Sequence, residues 1–203
     1  MMIPPAKAQL PRSFYDRPTI QVARELLGKA LLRRTGGEWV GGMIVETEAY
    51  LPADDPASHS ARGKTPSNAS MFGPPGTLYV YPIHAKYCLN AVTEKKGVGA
   101  AVLIRALEPI WGIESMQIHR GVDDLRRLTR GPAMLCQALR VDRNDDATDL
   151  IRDRGIRIAA FPEPPPIEVS CSPRIGISKA VDHPCRFFAA HNRHVSGRRR
   201  DHA

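Results

Sequence analysis

The chain has 203 residues, of which 42% are hydrophobic and 25% are charged. A chain of this length and composition can bury an extensive apolar core, which excludes a disordered protein and a small scaffold that depends on disulfides or metal. Lys and Arg number 29 against 21 Asp and Glu, so the formal net charge is +8. This excess favours a polyanionic partner, above all nucleic acid, although a basic surface can also serve solubility alone.

The chain carries no predicted membrane or secretion signal. Its longest hydrophobic runs, such as residues 100–104, are far shorter than the ~20 residues of a membrane span, and prolines interrupt the first 14 residues. We therefore expect an intracellular protein, in the cytoplasm or nucleoid of a bacterium or the nucleus of a eukaryote. The cysteines form no C-x-x-C pair and lie among core-like residues, so we expect four buried reduced thiols. They are Cys88, Cys136, Cys171 and Cys185.

The first predicted elements are a short helix and a β-hairpin. Asp16 or Thr19 can cap a helix whose hydrophobic residues follow the 3.6-residue period, and Gly28 is placed to end it. Residues 29–34 and 39–50 are then extended segments on either side of a Gly-Gly turn. This pattern predicts a hairpin.

A polar loop rich in Pro and Gly follows over residues 51–76, and loops of this length are usually functional or disordered. Residues 77–81 and 86–93 are predicted to form a second hairpin. Pro82 cannot donate to a central ladder and marks the turn, so His84 lies at the tip.

The rest of the chain is predicted to contain both strands and helices. The apolar run 100–107 predicts a buried strand, and residues 156–160 predict another. Residues 109–119 and 132–139 have helical spacing, each with a proline in the first turn. Strands and helices recur without a regular βαβ order, which favours an α+β fold.

Candidate site residues cluster at the end of the first hairpin. Alternate residues of a strand face the same way, so Glu46, Glu48 and Tyr50 share one face. If that face met solvent, these polar residues would be an ordinary feature of an exposed strand. Further polar and aromatic side chains come from the long loop and the second hairpin: Asp54, Asp55, His59, Tyr79, Tyr81, His84 and Asn90.

Two kinds of site fit this inventory. In the first, Glu48 is a general base that activates water, while Tyr50, Tyr81 and His59 sandwich a planar ring. In the second, the carboxylates and His59 surround a divalent metal. The sequence contains no known ligand motif such as H-E-x-x-H, so the metal site is the weaker alternative.

Six ordered motifs resemble the 3-methyladenine DNA glycosylase family of the alkyladenine type. The similarity runs from about residue 14 to about residue 196 and ends with RIGIS at 174–178 and PCRFF at 184–188. The six motifs are VETEAY at 45–50, AxHS at 57–60, MFGPPGTLYVY at 71–81, YCLN at 87–90, LIRALEP at 103–109 and RGPAMLCQAL at 130–139.

The resemblance implies a monofunctional glycosylase that flips a damaged purine from duplex DNA and hydrolyses its N-glycosidic bond without metal or cofactor. Glu48 would be the general base, and Arg105 and the backbone carbonyl of Ile175 would help to hold the water. The other implied roles are a base pocket lined by Tyr50, His59 and Tyr81, a barrier by Asn90 against the amino group of guanine, and a DNA wedge at His84.

The resemblance also implies a single compact domain with a mostly antiparallel curved sheet, surrounding helices and a protruding hairpin. It predicts an N-terminal tail over residues 1–12, a glycosylase domain over 13–196 and a basic C-terminal tail over 197–203. The expected protein is a monomer that acts on 3-methyladenine, 7-methylguanine, hypoxanthine or ethenoadenine in double-stranded DNA. Better-known members carry tyrosine at the wedge position, where this chain has His84.

Two other functions remain open at this point. A non-catalytic module could keep the fold and the basic charge and bind damaged DNA, but the presence of Glu48 and Arg105 argues against it. A nucleoside hydrolase would act on free small molecules, for which a basic surface would be superfluous. Salt-dependent binding to duplex DNA separates these possibilities, because phosphate contacts release counterions.

Overall fold

A computed structural model describes residues 9–83 and 86–197 of the chain. Within these ranges, eight strands form one sheet in which every pairing is antiparallel. The strands are β1 (Ala30–Thr35), β2 (Glu38–Tyr50), β3 (Leu78–Ile83), β4 (Lys86–Thr93), β5 (Ala100–Trp111), β6 (Ile156–Ala159), β7 (Val169–Ser172) and β8 (Arg186–Ala189).

Helices accompany the sheet, and this combination confirms the predicted α+β class. Short 3₁₀ turns at His59–Arg62 and Ala69–Phe72 lie in the long loop, and a third covers Arg143–Asp145. The described helices include none with the length and hydrophobicity of a membrane span. The α-helices are α1 (Arg12–Tyr15), α2 (Thr19–Leu26), α3 (Ile113–Arg120), α4 (Leu125–Leu128) and α5 (Pro132–Leu139).

The long strand β2 organises the sheet. One edge of β2 pairs with β5 over almost its whole length, while the other edge pairs first with β1 and then, at residues 46–48, with β8. The remaining order runs outward from β5 through β4 to β3, and from β1 to β6. Register shifts near Glu46 mark an irregularity in the ladder, a feature that bends a strand and increases its twist. The second half of β2 is therefore enclosed by strands on both sides.

Both predicted hairpins are confirmed. In the first, Thr35 pairs with Glu38 across Gly36 and Gly37, whose φ angles of 58° and 89° suit the tight turns that match the twist of paired strands. In the second, β3 extends through Pro82 to Ile83, two residues further than predicted. The predicted tip at His84 lies outside the described residues.

Helix α2 is confirmed, but neither predicted cap is present. The N-cap position is Pro18, and Thr19 is the first helical residue. The backbone N–H and the hydroxyl of Thr19 both donate to Glu94, at 3.2 Å and 2.5 Å. A carboxylate that follows β4 thus satisfies the helix start, a long-range contact that local sequence signals do not reveal.

The helix predicted to begin at Pro109 begins later. Pro109 still belongs to β5, opposite Gly42, and α3 starts after Gly112, whose φ is +61°. The lack of an N–H on proline is tolerated here because the β2–β5 register shifts at this point. The second predicted helix, α5, begins at Pro132 as expected from a proline in the first turn.

Residues 9–12, part of the predicted N-terminal tail, contact the sheet. Gln9 forms a bridge with Ala159, and the N–H of the buried Leu10 donates to the carbonyl of Ile158 at 3.0 Å. Of the segment predicted as the basic C-terminal tail, only Gly197 is among the described residues.

All four cysteines are free thiols, and three of them are buried. Cys171 is exposed, so the prediction of four buried thiols is wrong at this position. Cys171 lies on the short strand β7, which among the described residues pairs only with β8 and leaves its other side uncovered. The place of Cys171 on this edge strand explains why its side chain is exposed.

Candidate active site

The two glutamates of β2 lie at the most enclosed part of the sheet. Glu46 and Glu48 are 0% exposed, so the alternative of a solvent-facing strand is wrong. Glu48 stands between Leu103 of β5 and Arg186 of β8 in the register. Because both carboxylates are fully buried, they depend on protein partners rather than on water.

Glu48 has three such partners. Its Oε1 accepts the backbone N–H of Ile175 at 2.8 Å and lies 3.1 Å from the Arg105 guanidinium, while its Oε2 accepts the hydroxyl of Tyr50 at 3.0 Å. The predicted set of Glu48, Arg105, Ile175 and Tyr50 is therefore brought together. The contact that Ile175 makes with Glu48 is through its N–H, and the predicted role of its carbonyl stays a prediction.

Glu46 anchors the arginines beside Glu48. Its Oε1 accepts the Nε–H of Arg105 at 3.0 Å and that of Arg186 at 2.7 Å, and its Oε2 accepts the backbone N–H of Ser196 at 2.7 Å. Burial opposes ionisation of this carboxyl, but the two guanidiniums outweigh burial and hold the pKa of Glu46 below its ordinary value.

Arg105 bridges the two carboxylates. Burial alone would lower the pKa of Arg105, but the charges of Glu48 and Glu46 raise it above its ordinary value, so the guanidinium is permanently charged. Two carboxylates and two guanidiniums thus form one buried cluster. Such a cluster holds its members in fixed positions, because each group lost would leave a buried charge unpaired.

Aromatic side chains line a narrow recess next to Glu48. The recess measures about 20 Å³ and shares three of its walls with an outer cavity of about 450 Å³ that opens towards the long loop. The predicted pocket residues Tyr50, His59, Tyr81 and Asn90 all line the recess, together with Met71 and Tyr79. The long loop, the second hairpin and β2, which the sequence offered as sources of site residues, thus meet at this recess.

The rings of the recess are in contact with one another. The centroids of His59 and Tyr81 are 4.5 Å apart at 74°, and those of Tyr79 and Tyr81 are 5.6 Å apart at 33°. The recess and the outer cavity share the rings of His59, Tyr79 and Tyr81, so aromatic surface lies where the two spaces join.

His59 is neutral near pH 7. Burial, and then the nearby Arg62, lower the pKa of His59 below its ordinary value. Its Nδ1 lies 2.7 Å from the hydroxyl of Tyr79, a hydrogen bond whose direction depends on the tautomer. Tyr79 thus orients the imidazole, a role that the sequence did not assign.

Asn90 is buried in the wall of the recess. Its Nδ2 donates to the carbonyl of Tyr79 at 3.0 Å, directly across the β3–β4 pair. The amide therefore satisfies a backbone group and also presents surface to the recess. Its predicted role in excluding guanine stays a prediction.

The carboxylates proposed for a metal site have other partners. Asp55 forms a bidentate ion pair with Arg174, with both oxygen–nitrogen distances at 2.7 Å, and Glu46 is paired with arginines. Asp54 is exposed. Among the described residues, no group of three or more His, Cys, Asp and Glu side chains is arranged to hold a metal ion.

Sequence reasoning missed Arg174 and Arg186. Both are buried, and the guanidinium of Arg174 lies 4.6 Å from the centroid of the Tyr50 ring. Each arginine stands within a quoted motif, Arg174 in RIGIS and Arg186 in PCRFF. An arginine inside a short apolar strand pattern, as in PCRFF, was the available signal for a buried ionic partner.

The fold and this site together define an enzyme of one compact α+β domain, with a buried carboxylate beside a recess for a planar ring. The sequence profile of the family described as methylpurine-DNA glycosylase matches residues 13–193. The chain therefore belongs to the methylpurine-DNA glycosylase family, whose members are DNA repair hydrolases.

Curated relatives cover almost the whole chain. A protein of Rhodopirellula baltica is 56% identical over 198 residues, which are 95% of this chain and 85% of the relative. A protein of Koribacter versatilis is 46% identical over 199 residues, 95% of each chain, and one of Methanoculleus marisnigri is 45% identical over 193 residues, 93% of this chain and 99% of the relative. All three carry the name "Putative 3-methyladenine DNA glycosylase".

Proposed function

We propose that the chain excises alkylated or deaminated purines from duplex DNA by base flipping and water attack. Candidate substrates are 3-methyladenine, which the names of the relatives contain, and 7-methylguanine, hypoxanthine and ethenoadenine. The observation that carries the proposal is the position of Glu48, buried between Arg105 and the Ile175 N–H and hydrogen-bonded to Tyr50, a wall of the aromatic recess.

Glu48 would act on both the sugar and the water. As the bond between the base and C1′ breaks, positive charge develops on the sugar, and a nearby carboxylate stabilises it. Water then attacks C1′ and gives its proton to Glu48, so the products are an abasic sugar and the free base. Arg105 and Tyr50 hold the two carboxylate oxygens in place during this step.

The recess would bind the flipped base between aromatic faces. Alkylation at a ring nitrogen makes a purine cationic, which weakens its glycosidic bond and strengthens its attraction to the faces of Tyr50 and Tyr81.

Duplex DNA would bind across the outer cavity. The cavity is lined by Arg62 and by hydroxyl side chains of the long loop, which are groups that contact phosphates in protein–DNA complexes. The formal charge of +8 would add a long-range attraction. His84, proposed as the wedge, lies outside the described residues.

A lesion panel tests the proposal. The protein is incubated under single-turnover conditions with duplexes that each carry one hypoxanthine, ethenoadenine or 7-methylguanine, and abasic sites are cleaved with alkali. We expect lesion-dependent cleavage that persists in EDTA. Tight, salt-dependent binding without base release would instead indicate a damage-binding module, and release from free nucleosides alone would indicate a nucleoside hydrolase.

Borohydride trapping tests whether water is the nucleophile. A bifunctional glycosylase forms a Schiff base through an amine, and borohydride reduces that adduct to a stable bond. In the proposed reaction the Glu48 carboxylate activates water and no amine attacks the sugar, so no covalent protein–DNA adduct should form. Efficient trapping would overturn the water mechanism while leaving base excision itself intact.

A further inference from the structure

A buried guanidinium covers part of the Tyr50 ring. The carbon at the centre of the Arg174 guanidinium lies 4.6 Å from the ring centroid, and the Arg174 side chain is 0% exposed. Tyr50 lines the aromatic recess, whereas Arg174 lines neither the recess nor the outer cavity. A base stacked on the other face of Tyr50 would be separated from the guanidinium by the ring.

The charge of Arg174 is matched by one carboxylate. Asp55 accepts from both terminal nitrogens of Arg174 at 2.7 Å, and its side chain is also 0% exposed. Asp55 also accepts the backbone N–H groups of Leu51, at 2.9 Å, and Ala57, at 3.2 Å. Since Leu51 follows Tyr50 directly, the ion pair is fixed to the same piece of backbone as the ring.

The charge balance between Asp55 and Arg174 affects how strongly the other face of Tyr50 attracts a cation. A tyrosine face attracts a cation through its quadrupole, and the attraction grows when water is excluded. An uncompensated cation behind the ring would repel a second cation stacked in front of it. A paired cation has little net field at that distance, so the attraction of the ring survives.

We propose that the Asp55–Arg174 ion pair is a specificity-determining element that sets the preference of the recess for cationic methylated bases over neutral bases such as hypoxanthine. The inference rests on the proposed function, because it concerns the bases that the same recess would bind. Neither residue would touch the base. Both act through the Tyr50 ring and are positioning residues.

The size of the effect follows from the geometry. A base stacked ~3.5 Å from the ring would lie about 8 Å from the guanidinium. At an effective dielectric constant of about 20, an unpaired charge at that distance would weaken binding of a cationic base by a factor of up to about 30. A neutral base would not experience this repulsion.

The experiment compares excision of 7-methylguanine with excision of hypoxanthine by the same preparation of each variant. The ratio of the two single-turnover rates cancels differences in the amount of folded protein. Asp55→Asn leaves Arg174 unpaired and should lower the ratio about tenfold or more. Arg174→Gln leaves the charge of Asp55 unpaired and should raise it, and the double variant should restore a ratio near that of the wild type.

A matched control separates charge compensation from general damage to an ion pair. Asp149→Asn removes the partner of Arg12, a pair with a distance of 2.7 Å that lines neither cavity, and should leave the ratio unchanged. If one single variant fails to fold, the other is compared with the double variant. Equal ratios in all variants, or shifts in the same direction in both single variants, would overturn the inference.

The same data distinguish this inference from the proposed function. If the wild type excises neither lesion, the proposed function fails. If the wild type excises both lesions and the ratio does not respond to the charge of the pair, only the inference fails.

Discussion

Replacement of Glu46 by glutamine removes the charge that holds the buried cluster together. Glu46 accepts three hydrogen bonds, from Arg105, Arg186 and the backbone of Ser196, and no part of it is exposed. Glutamine has nearly the same shape, but one side of its amide is a donor. At least one of the buried donors would therefore lose its acceptor, and both guanidiniums would lose a counter-ion.

The expected loss of stability is large for a single substitution. Removal of one partner from a buried ion pair costs about 3–5 kcal/mol, out of a total stability of about 5–15 kcal/mol for a typical domain. In a protein of this size, each 1 kcal/mol lowers Tm by about 2–4 °C. We therefore expect Glu46→Gln to lower Tm by roughly 10 °C at pH 7.

The effect should also depend on pH. The arginines hold the folded-state pKa of Glu46 below its ordinary value, so this group stabilises the fold above the unfolded-state pKa, and the contribution is lost as pH falls through the folded-state pKa. The difference in Tm between wild type and variant should accordingly shrink below about pH 4.

Thermal unfolding followed by circular dichroism at pH 7 and pH 3.5 measures both effects. The control is Glu25→Gln, which breaks a surface ion pair with Arg17 of 2.8 Å. Exposed pairs contribute less than about 1 kcal/mol, so the control should lose no more than about 3 °C. A loss in Glu46→Gln no larger than in the control would refute the view that Glu46 anchors the cluster.

Three further predictions concern other parts of the protein. Asn90→Ser should increase release of guanine from undamaged duplex DNA relative to release of hypoxanthine, and unchanged selectivity with lower stability would assign Asn90 only to the Tyr79 carbonyl. In a pH–rate profile, excision of 7-methylguanine should fall when His59 gains a charge that repels the cationic base, and because burial and Arg62 lower the pKa of His59, this fall should occur below the ordinary pKa of histidine, about 6.5. A profile that His59→Gln leaves unchanged would contradict this cause. Gly42→Ala should lower Tm by several degrees, since its Cβ would clash with the backbone carbonyl of Glu108, whereas a Tm equal to that of the wild type would show that β2 and β5 can separate there.

Local sequence signals predicted most of the framework. Alternation along β2 placed Glu46, Glu48 and Tyr50 on one face, and the Gly-Gly turn predicted the first hairpin. These features depend on residues close together in the chain. The predicted start of α3 at Pro109 was wrong because the pairing of β5 with the distant Gly42 extends the strand, and a proline alone does not reveal that pairing.

The parts of the site that the sequence did not predict are contacts between segments far apart in the chain. Arg174 lies 119 residues from Asp55, and Arg186 lies 140 residues from Glu46. Their pairing depends on how β7 and β8 return to β2, and the sequence analysis predicted neither of these short strands. The resemblance to a known family named Glu48, Arg105 and the residues that line the recess, which the structure brings close together, and their roles stay predictions. It assigned no role to Arg174 or Arg186.

The most direct test of the account is the single-turnover rate of Glu48→Gln on a duplex with one hypoxanthine, measured together with its affinity for that duplex. Glutamine keeps the shape of the side chain but cannot accept a proton from water, so excision should fall by about 10² to 10⁴ fold while binding stays close to that of the wild type. Excision within a few fold of the wild-type rate would contradict the assignment of Glu48 as the general base.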